Sequence, residues 1–336
     1  MRKRLGNPSI CEGNLFYLFA GILLLVVGTR VQRREFYSGL AITEYLLILL
    51  PAILYIKLGG YSFKKVLKLN SITVKQAIIT ILVVIFSYPV GAFLNYIVIA
   101  ILSKFVEVYP TGIPLPTNPH ELFISFLLIS LSAGICEEVM FRGMLMSSYE
   151  RLGRNKAVIM SAILFGMFHF NVQNLLGPIF LGIVFGFIVH KTNSLFSSII
   201  GHATNNSIAL IIGYFVSKSE TVLQSGIENI KIPENAFAIV STIMVGIFVL
   251  IMGIIAMAVF FLAVKGQEEV MVPNVTGKEL ASVLIDMQVK ELYPKIQLRY
   301  SNSIDEKGKI LEQNPPAGSI VKAGRRINLV VSRGVV

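Results

Sequence analysis

Eight runs of apolar residues leave this chain little choice of environment. They fall at about 14–29, 38–56, 76–103, 121–141, 157–170, 175–190, 194–216 and 236–264. About 20 apolar residues in a helix cross ~30 Å of hydrocarbon. Inside a bilayer a helix satisfies every backbone polar group within its own segment. The chain is 54% hydrophobic and lacks tryptophan. Its mean hydropathy is positive, which excludes an ordinary soluble domain. The expected fold is an all-α polytopic membrane bundle of about eight transmembrane helices, followed by a small α+β C-terminal domain. The fifth and sixth runs are short and read as re-entrant or tilted. Pro51 and Pro89 lie inside the second and third runs and are expected to kink them, which a bundle tolerates.

Charge is spread unevenly. Of 30 Lys/Arg and 19 Asp/Glu, residues 1–266 hold 20 and 11, and residues 267–336 hold 10 and 8. The basic excess belongs to the membrane part, where it marks cytoplasmic loops rather than a nucleic-acid surface. Arg2, Lys3, Arg4, Lys57, Lys64, Lys65, Lys68, Arg151, Arg154 and Lys156 favour an internal N-terminus, against Arg30, Arg33 and Arg34. The proline-rich loop 104–120 reads as external. Cys11 and Cys136 supply no disulfide framework. No apolar run precedes Cys11, so a cleaved lipoprotein signal is not expected, and the first run reads as a retained anchor.

The fourth run ends in SAGICEEVMFRGML, Ser132 to Leu145. Charged side chains at the bilayer centre cost several kcal/mol, roughly 2.5–3.5 each on insertion scales. Glu138 and Arg142 are i and i+4 on a helix and can neutralise each other. Glu137 points away from that pair and is the carboxylate left for chemistry. Further on, His169 ends FGMFH, four residues after Phe165, and His202 stands four residues before Asn206 in HATNN. A lone histidine on an apolar face is usually a satisfied core group, and a His/Asn pair can simply tie helices together. One carboxylate, two imidazoles and an amide on successive apolar runs instead suit hydrolysis. Glu137 would take a proton from water, with His169 orienting that water, and His202 and Asn206 would donate to a developing oxyanion. The same residue types also suit a zinc centre held by Glu137, His169 and His202, in which the metal activates the water. Sequence leaves the cofactor as either none or zinc. His120 and His190 sit at segment ends. His120-Glu121 opens like HExxH, but Ile124 occupies the fifth position and the motif fails.

After Lys265 the composition changes. Thr276 and Glu279 have capping-box spacing, and Leu280, Val283, Leu284 and Met287 then recur at helical spacing. Strand-like runs follow at 295–300, 309–313 and 326–332, with NPPAGS, 314–319, as a turn. The expected domains are 1–119 (N-terminal transmembrane helices), 120–216 (membrane core carrying the motifs), 217–266 (last helix and linker) and 267–336 (C-terminal domain).

The tail, through VPNVTGKELASVL and QNPPAGSIVKAGRRINLVVSRG, resembles a PASTA domain. That resemblance implies an extracytoplasmic module and peptidoglycan contact through residues 267–336. Residues 120–215 resemble the CPBP intramembrane proteases, also called the CaaX-protease, bacteriocin-processing or Abi family. The family motifs EExxxR, FxxxH and HxxxN stand here as Glu137-Glu138-Val-Met-Phe-Arg142, Phe165-Gly-Met-Phe-His169 and His202-Ala-Thr-Asn-Asn206. The resemblance implies an endopeptidase of the bacterial cytoplasmic (inner) membrane that cleaves membrane-embedded or membrane-associated peptides. Glu137, His169, His202 and Asn206 would be catalytic, with Glu138, Arg142 and Phe165 supporting them. It carries no implication of prenylated substrates. The rival readings are a non-catalytic scaffold or immunity protein that senses cell wall, and a proton-coupled transporter. One tension stands: eight crossings from an internal N-terminus leave the tail inside the cell, whereas PASTA domains generally work outside.

Overall fold

A computed structural model describes residues 7–107, 113–223, 234–263, 269–289, 292–301, 303–322 and 325–335. The chain divides into two compact units, Met1–Val264 and Lys265–Val336.

Each of the eight apolar runs falls on a helix. They are α1 (Ile10–Arg34), α2 (Phe36–Leu58), α3 (Val74–Leu102), α4 (Pro119–Leu152), α5 (Arg154–Met167), α6 (Leu176–Thr192), α7 (Leu195–Leu223) and α8 (Glu234–Ala263). Among the described residues six segments are long and apolar enough to cross a membrane: α1 to α4, α6 with its preceding turn (Val172–Thr192), and α7 over Leu195–Lys218. The chain is an integral membrane protein. Its large apolar side chains, such as Leu15, Leu18 and Ile22 on α1, point outward, as lipid requires. The sixth run is long enough to span. The fifth is not: α5 has 14 residues, or about 21 Å at 1.5 Å per residue.

α1 and α3 open with complete capping boxes, Ser9 with Glu12 and Thr73 with Gln76. α3 runs on through Pro89. In α2 a π-helical stretch, Ile42–Leu49, gives way to α-helix just before Pro51, where the ring removes a donor from the ladder. α5 and α6 form an antiparallel hairpin packed through glycine. A Cβ on Gly182 would lie 2.9 Å from the Ala162 Cβ and 3.2 Å from Arg142 Nη2.

Polar ties define which helix ends share a face. Asn7 donates to Glu150 (2.7 Å), Tyr61 to Glu12 (2.9 Å) and Asn70 to the Asn193 carbonyl (2.7 Å), while Lys68 pairs with Glu150 (2.6 Å). The start of α1, the loop between α2 and α3, the α4–α5 junction and the α6–α7 junction therefore lie together. On the opposite face Tyr37 meets Ser125 (3.0 Å) and Ser217 donates to the Pro116 carbonyl (3.0 Å). α8 runs antiparallel to α3. Gly246 faces Phe93 and Gly253 faces Val90, whereas Val259 and Phe260 pack on the cluster of Ile79, Val83 and Val84. The end of α8 thus returns to the face where α1 begins.

The tail has strands β1 (Glu269–Met271), β2 (Tyr293–Arg299), β3 (Ile310–Asn314), β4 (Ile320–Lys322) and β5 (Arg326–Ser332), with α9 (Leu280–Val289) between β1 and β2. β1 and β4 pair antiparallel; in the other sheet β5 is central, parallel to β2 and antiparallel to β3. Three strands match the expected runs, and β1 and β4 were not expected. The capping box does not form. Thr276 lies in a turn with Gly277 at φ +81°, and its hydroxyl bonds Gln313 Oε1 at 3.3 Å. The backbone at Glu279 instead forms an isolated antiparallel β-bridge with Lys309, and the helix starts only at Leu280.

Val272, Val275, Val283, Met287, Leu292, Ile310, Ile327, Leu329 and Val331 form the tail's own core. A domain this small is near the lower limit for an unaided core, yet all its core partners are local to it. Residues 268–336 expressed alone should therefore give dispersed amide NMR signals and a cooperative melt. A random-coil spectrum would refute an independent domain.

Candidate active site

The site is built from α4, α5 and α7 around one aromatic ring. Phe165 lies four residues before His169, so ring and imidazole share a face of α5 and meet edge-to-face at 5.1 Å. The same ring meets His202 of α7 edge-to-face at 5.6 Å. Phe185 of α6 stacks on the other imidazole contact of the site, 5.4 Å from His202 at 21°. Arg142 places its guanidinium 4.3 Å over Phe165 and 5.3 Å from the Phe185 ring centre.

Arg142 and Glu138 are both fully buried and paired, Nη1 to Oε1, as their spacing predicts. Arg142 Nε and Nη2 and Glu138 Oε2 have no hydrogen-bond partner. The two ring faces therefore supply much of the cation's surroundings. Glu138 Oε1 has a second partner that spacing could not reveal, His202 Nδ1 at 3.0 Å. A carboxylate only accepts, so Nδ1 carries the proton and the basic nitrogen of His202 is Nε2. That Nε2 lies 4.0 Å from Glu137 Oε2. His169 is arranged likewise: its Nδ1 donates to the Phe165 carbonyl at 3.0 Å, which leaves Nε2 as the basic nitrogen. His169 is exposed, just before Phe170 turns the chain at φ +49°. Asn206 stands one turn beyond His202 on α7. Its Nδ2 donates to the Ile129 carbonyl (2.9 Å) and its Oδ1 accepts from Asn205 (3.0 Å).

Glu137 is the accessible carboxylate of the pair, its side chain 17% exposed against 0% for Glu138. Two π-helical stretches, Phe126–Ser132 and Val139–Leu145, flank the α-helical turn that carries both. Such widened turns recur at functional sites. The proposed zinc set does not form. Among the described residues no three His, Cys, Asp or Glu side chains converge to hold a metal ion.

Sequence reasoning missed Phe185 and Glu44. Glu44, on α2, is 3% exposed, and its signal was a single acidic residue inside the second apolar run. A groove of about 560 Å³ between α3 and α8, lined by Pro89, Phe93, Tyr96, Val245 and Phe248, holds no acid or base suited to hydrolysis.

The family comparisons fit this geometry. Residues 119–208 match the model of the type II CAAX prenyl endopeptidase Rce1-like family, and that span holds Glu137, Phe165, His169, His202 and Asn206. Residues 270–333 match the PASTA domain. The chain thus carries an Rce1-like CAAX-protease domain within a helical membrane unit and a C-terminal PASTA domain, and the first match supports a membrane endopeptidase. A curated relative, an uncharacterized protein of Borreliella burgdorferi, is 30% identical over 83 residues, which is 25% of this chain and 26% of the relative. The match therefore spans about a quarter of that relative's length. No solved structure matches.

Proposed function

We propose that this protein hydrolyses peptide bonds of membrane-embedded or membrane-associated substrates. The observation that carries the reading is the pairing of Glu137 Oε2 with His202 Nε2 across 4.0 Å, while Glu138 holds the far side of the imidazole. A gap of that size is too long for a direct hydrogen bond and suits one bridging water. Glu137 removes a proton from the attacking water, and His169, through Nε2, orients it. Asn206, through its second Nδ2 hydrogen, and His202, once its Nε2 is also protonated, stabilise the oxyanion, a role worth roughly 3–4 kcal/mol per donor in other proteases. The purified protein in detergent should cleave members of a quenched-fluorescence peptide library drawn from membrane proteins. No cleavage, together with solute flux in proteoliposomes, would favour a transporter instead.

The face shared by the start of α1 and the end of α8 also carries Lys57, Lys64, Lys65, Lys68, Arg151, Arg154 and Lys156. By the positive-inside rule this face is cytoplasmic, in a bacterial cytoplasmic membrane. The chain then enters its PASTA domain from the cytoplasmic side, where the domain serves as a recognition module. Peptidoglycan contact would need the inverted orientation. Asp305, exposed in the tail, tests this once replaced by cysteine in a background lacking Cys11 and Cys136. A membrane-impermeant maleimide should label it only after the cells are permeabilised. Labelling in intact cells would overturn the orientation and restore peptidoglycan as the partner.

A further inference from the structure

Asn206 can donate to an oxyanion only if its amide is turned the right way, and the residue beside it controls that turn. Asn205 falls outside the HxxxN spacing that singles out Asn206. Its side chain leaves α7 roughly 100° around the axis, yet its Nδ2 reaches Asn206 Oδ1 at 3.0 Å. One fixed group orients both amides. The Ile129 carbonyl only accepts, so the Asn206 atom 2.9 Å from it is the nitrogen. Asn206 Oδ1 then faces Asn205 and needs a donor there, which sets the second amide as well. The backbones around this pair are already tied. Ser130 Oγ of α4 lies 2.7 Å from both the Ala203 carbonyl and Ser207 Oγ of α7. Asn205 is therefore not needed to join the helices. Its own Oδ1 is buried without a hydrogen-bond partner, which is a costly arrangement. Turning that amide over would set two acceptor oxygens face to face. The orientation it keeps is the one that serves Asn206.

We propose that Asn205 is a positioning residue for the oxyanion hole. This rests on the reading of Asn206 as an oxyanion donor. The Ile129 carbonyl takes one Nδ2 hydrogen of Asn206, and the bond from Asn205 locks the amide plane, so the second hydrogen has a single direction. Donors aimed at developing charge are effective because they are preorganised. The same bond polarises the Asn206 amide by drawing electron density towards Oδ1, and linked hydrogen bonds strengthen one another in this way. Asn205 acts only through Asn206 and touches neither the substrate nor the attacking water.

Two measurements on the full-length protein in detergent test this: turnover of a quenched-fluorescence peptide, and NMR of the asparagine side-chain amides. Asn205→Leu matches the side chain in shape but cannot donate. It removes one orphaned acceptor and creates another on Asn206, so the variant should fold and melt close to the wild type. Its kcat should fall at least about 10-fold, short of the roughly 10²- to 10³-fold that losing an oxyanion donor outright costs, with KM within about 2-fold. Asn205→Gln, which keeps a donor on a longer arm, should recover part of the loss. In an Asn206→Ala background, Asn205→Leu should change kcat by less than about 2-fold, because no amide is left to aim. A merely structural role would cost the same in both backgrounds. The NMR signals of the Asn206 amide, assigned by their loss in Asn206→Ala, should shift in Asn205→Leu. A folded Asn205→Leu with wild-type kcat, an equal loss in both backgrounds, or unmoved Asn206 signals would overturn the proposal. The NMR comparison does not depend on proteolysis. If Asn206→Ala itself cleaves at the wild-type rate, the oxyanion reading falls and the proposal with it, whereas shifted Asn206 signals would still establish the contact between the two amides.

Discussion

Replacing Glu137 by Gln should abolish peptide cleavage and leave the protein folded in the membrane. Gln matches the shape of Glu but cannot accept a proton from water, so the loss should be roughly 10²- to 10⁴-fold, the usual contribution of a general base. Stability should hardly change, because the Glu137 side chain is partly exposed and stands 4.0 Å from His202, beyond a direct hydrogen bond. His169→Ala should give a similar loss: the residue is exposed, and with Nδ1 bonded to the Phe165 carbonyl its Nε2 is the nitrogen left for chemistry. Turnover by purified Glu137→Gln at near wild-type rate would show that another group activates the water.

The adjacent residue should behave in the opposite way. Glu138→Gln should destabilise the membrane unit by roughly 3–5 kcal/mol, the cost of stranding one partner of a fully buried ion pair. Arg142 is 0% exposed, and its Nη1 has Glu138 as its charged partner. Gln can still accept a hydrogen bond but cannot neutralise the guanidinium. The rings of Phe165 and Phe185 cushion the cation without cancelling its charge. In a detergent thermal-shift measurement the midpoint should fall by at least about 6 °C. Adding Arg142→Met should recover much of that loss, because no unpaired charge then remains. If the single variant melts with the wild type, the pair is not what holds α4 in place.

The two glutamates show how much of the site could be read from sequence. The ion pair followed from spacing: i,i+4 selects Glu138 for Arg142, and that pair is observed. The eight helical runs were equally legible, since a bilayer imposes length and apolarity on each segment independently. What sequence could not supply was tertiary. The bond from His202 to Glu138 joins positions 64 residues apart. Glu44 lies one helix away from the motifs, and nothing in ITEYLL says which neighbour it faces. In the tail, β1 and β4 have three residues each and exist only through their mutual pairing. The capping box failed for a similar reason: Gln313, on β3, takes the hydroxyl of Thr276 that a helix start would have used.

The shortness of α5 has a consequence for water supply. Hydrolysis inside hydrocarbon needs a reactant that the surroundings exclude. α5 starts at the basic face and covers about 21 Å of a core roughly 30 Å thick. A helix of that length starting at the near headgroups would end about 9 Å short of the far ones, and His169 lies just past its end. Above it the bilayer must thin or admit a dimple of solvent, as it does around short spanning elements. That dimple would open onto the exposed imidazole rather than onto the sealed Glu138–Arg142 side. Wetting of the site would then vary with lipid chain length, and thick bilayers would starve the reaction of its second substrate.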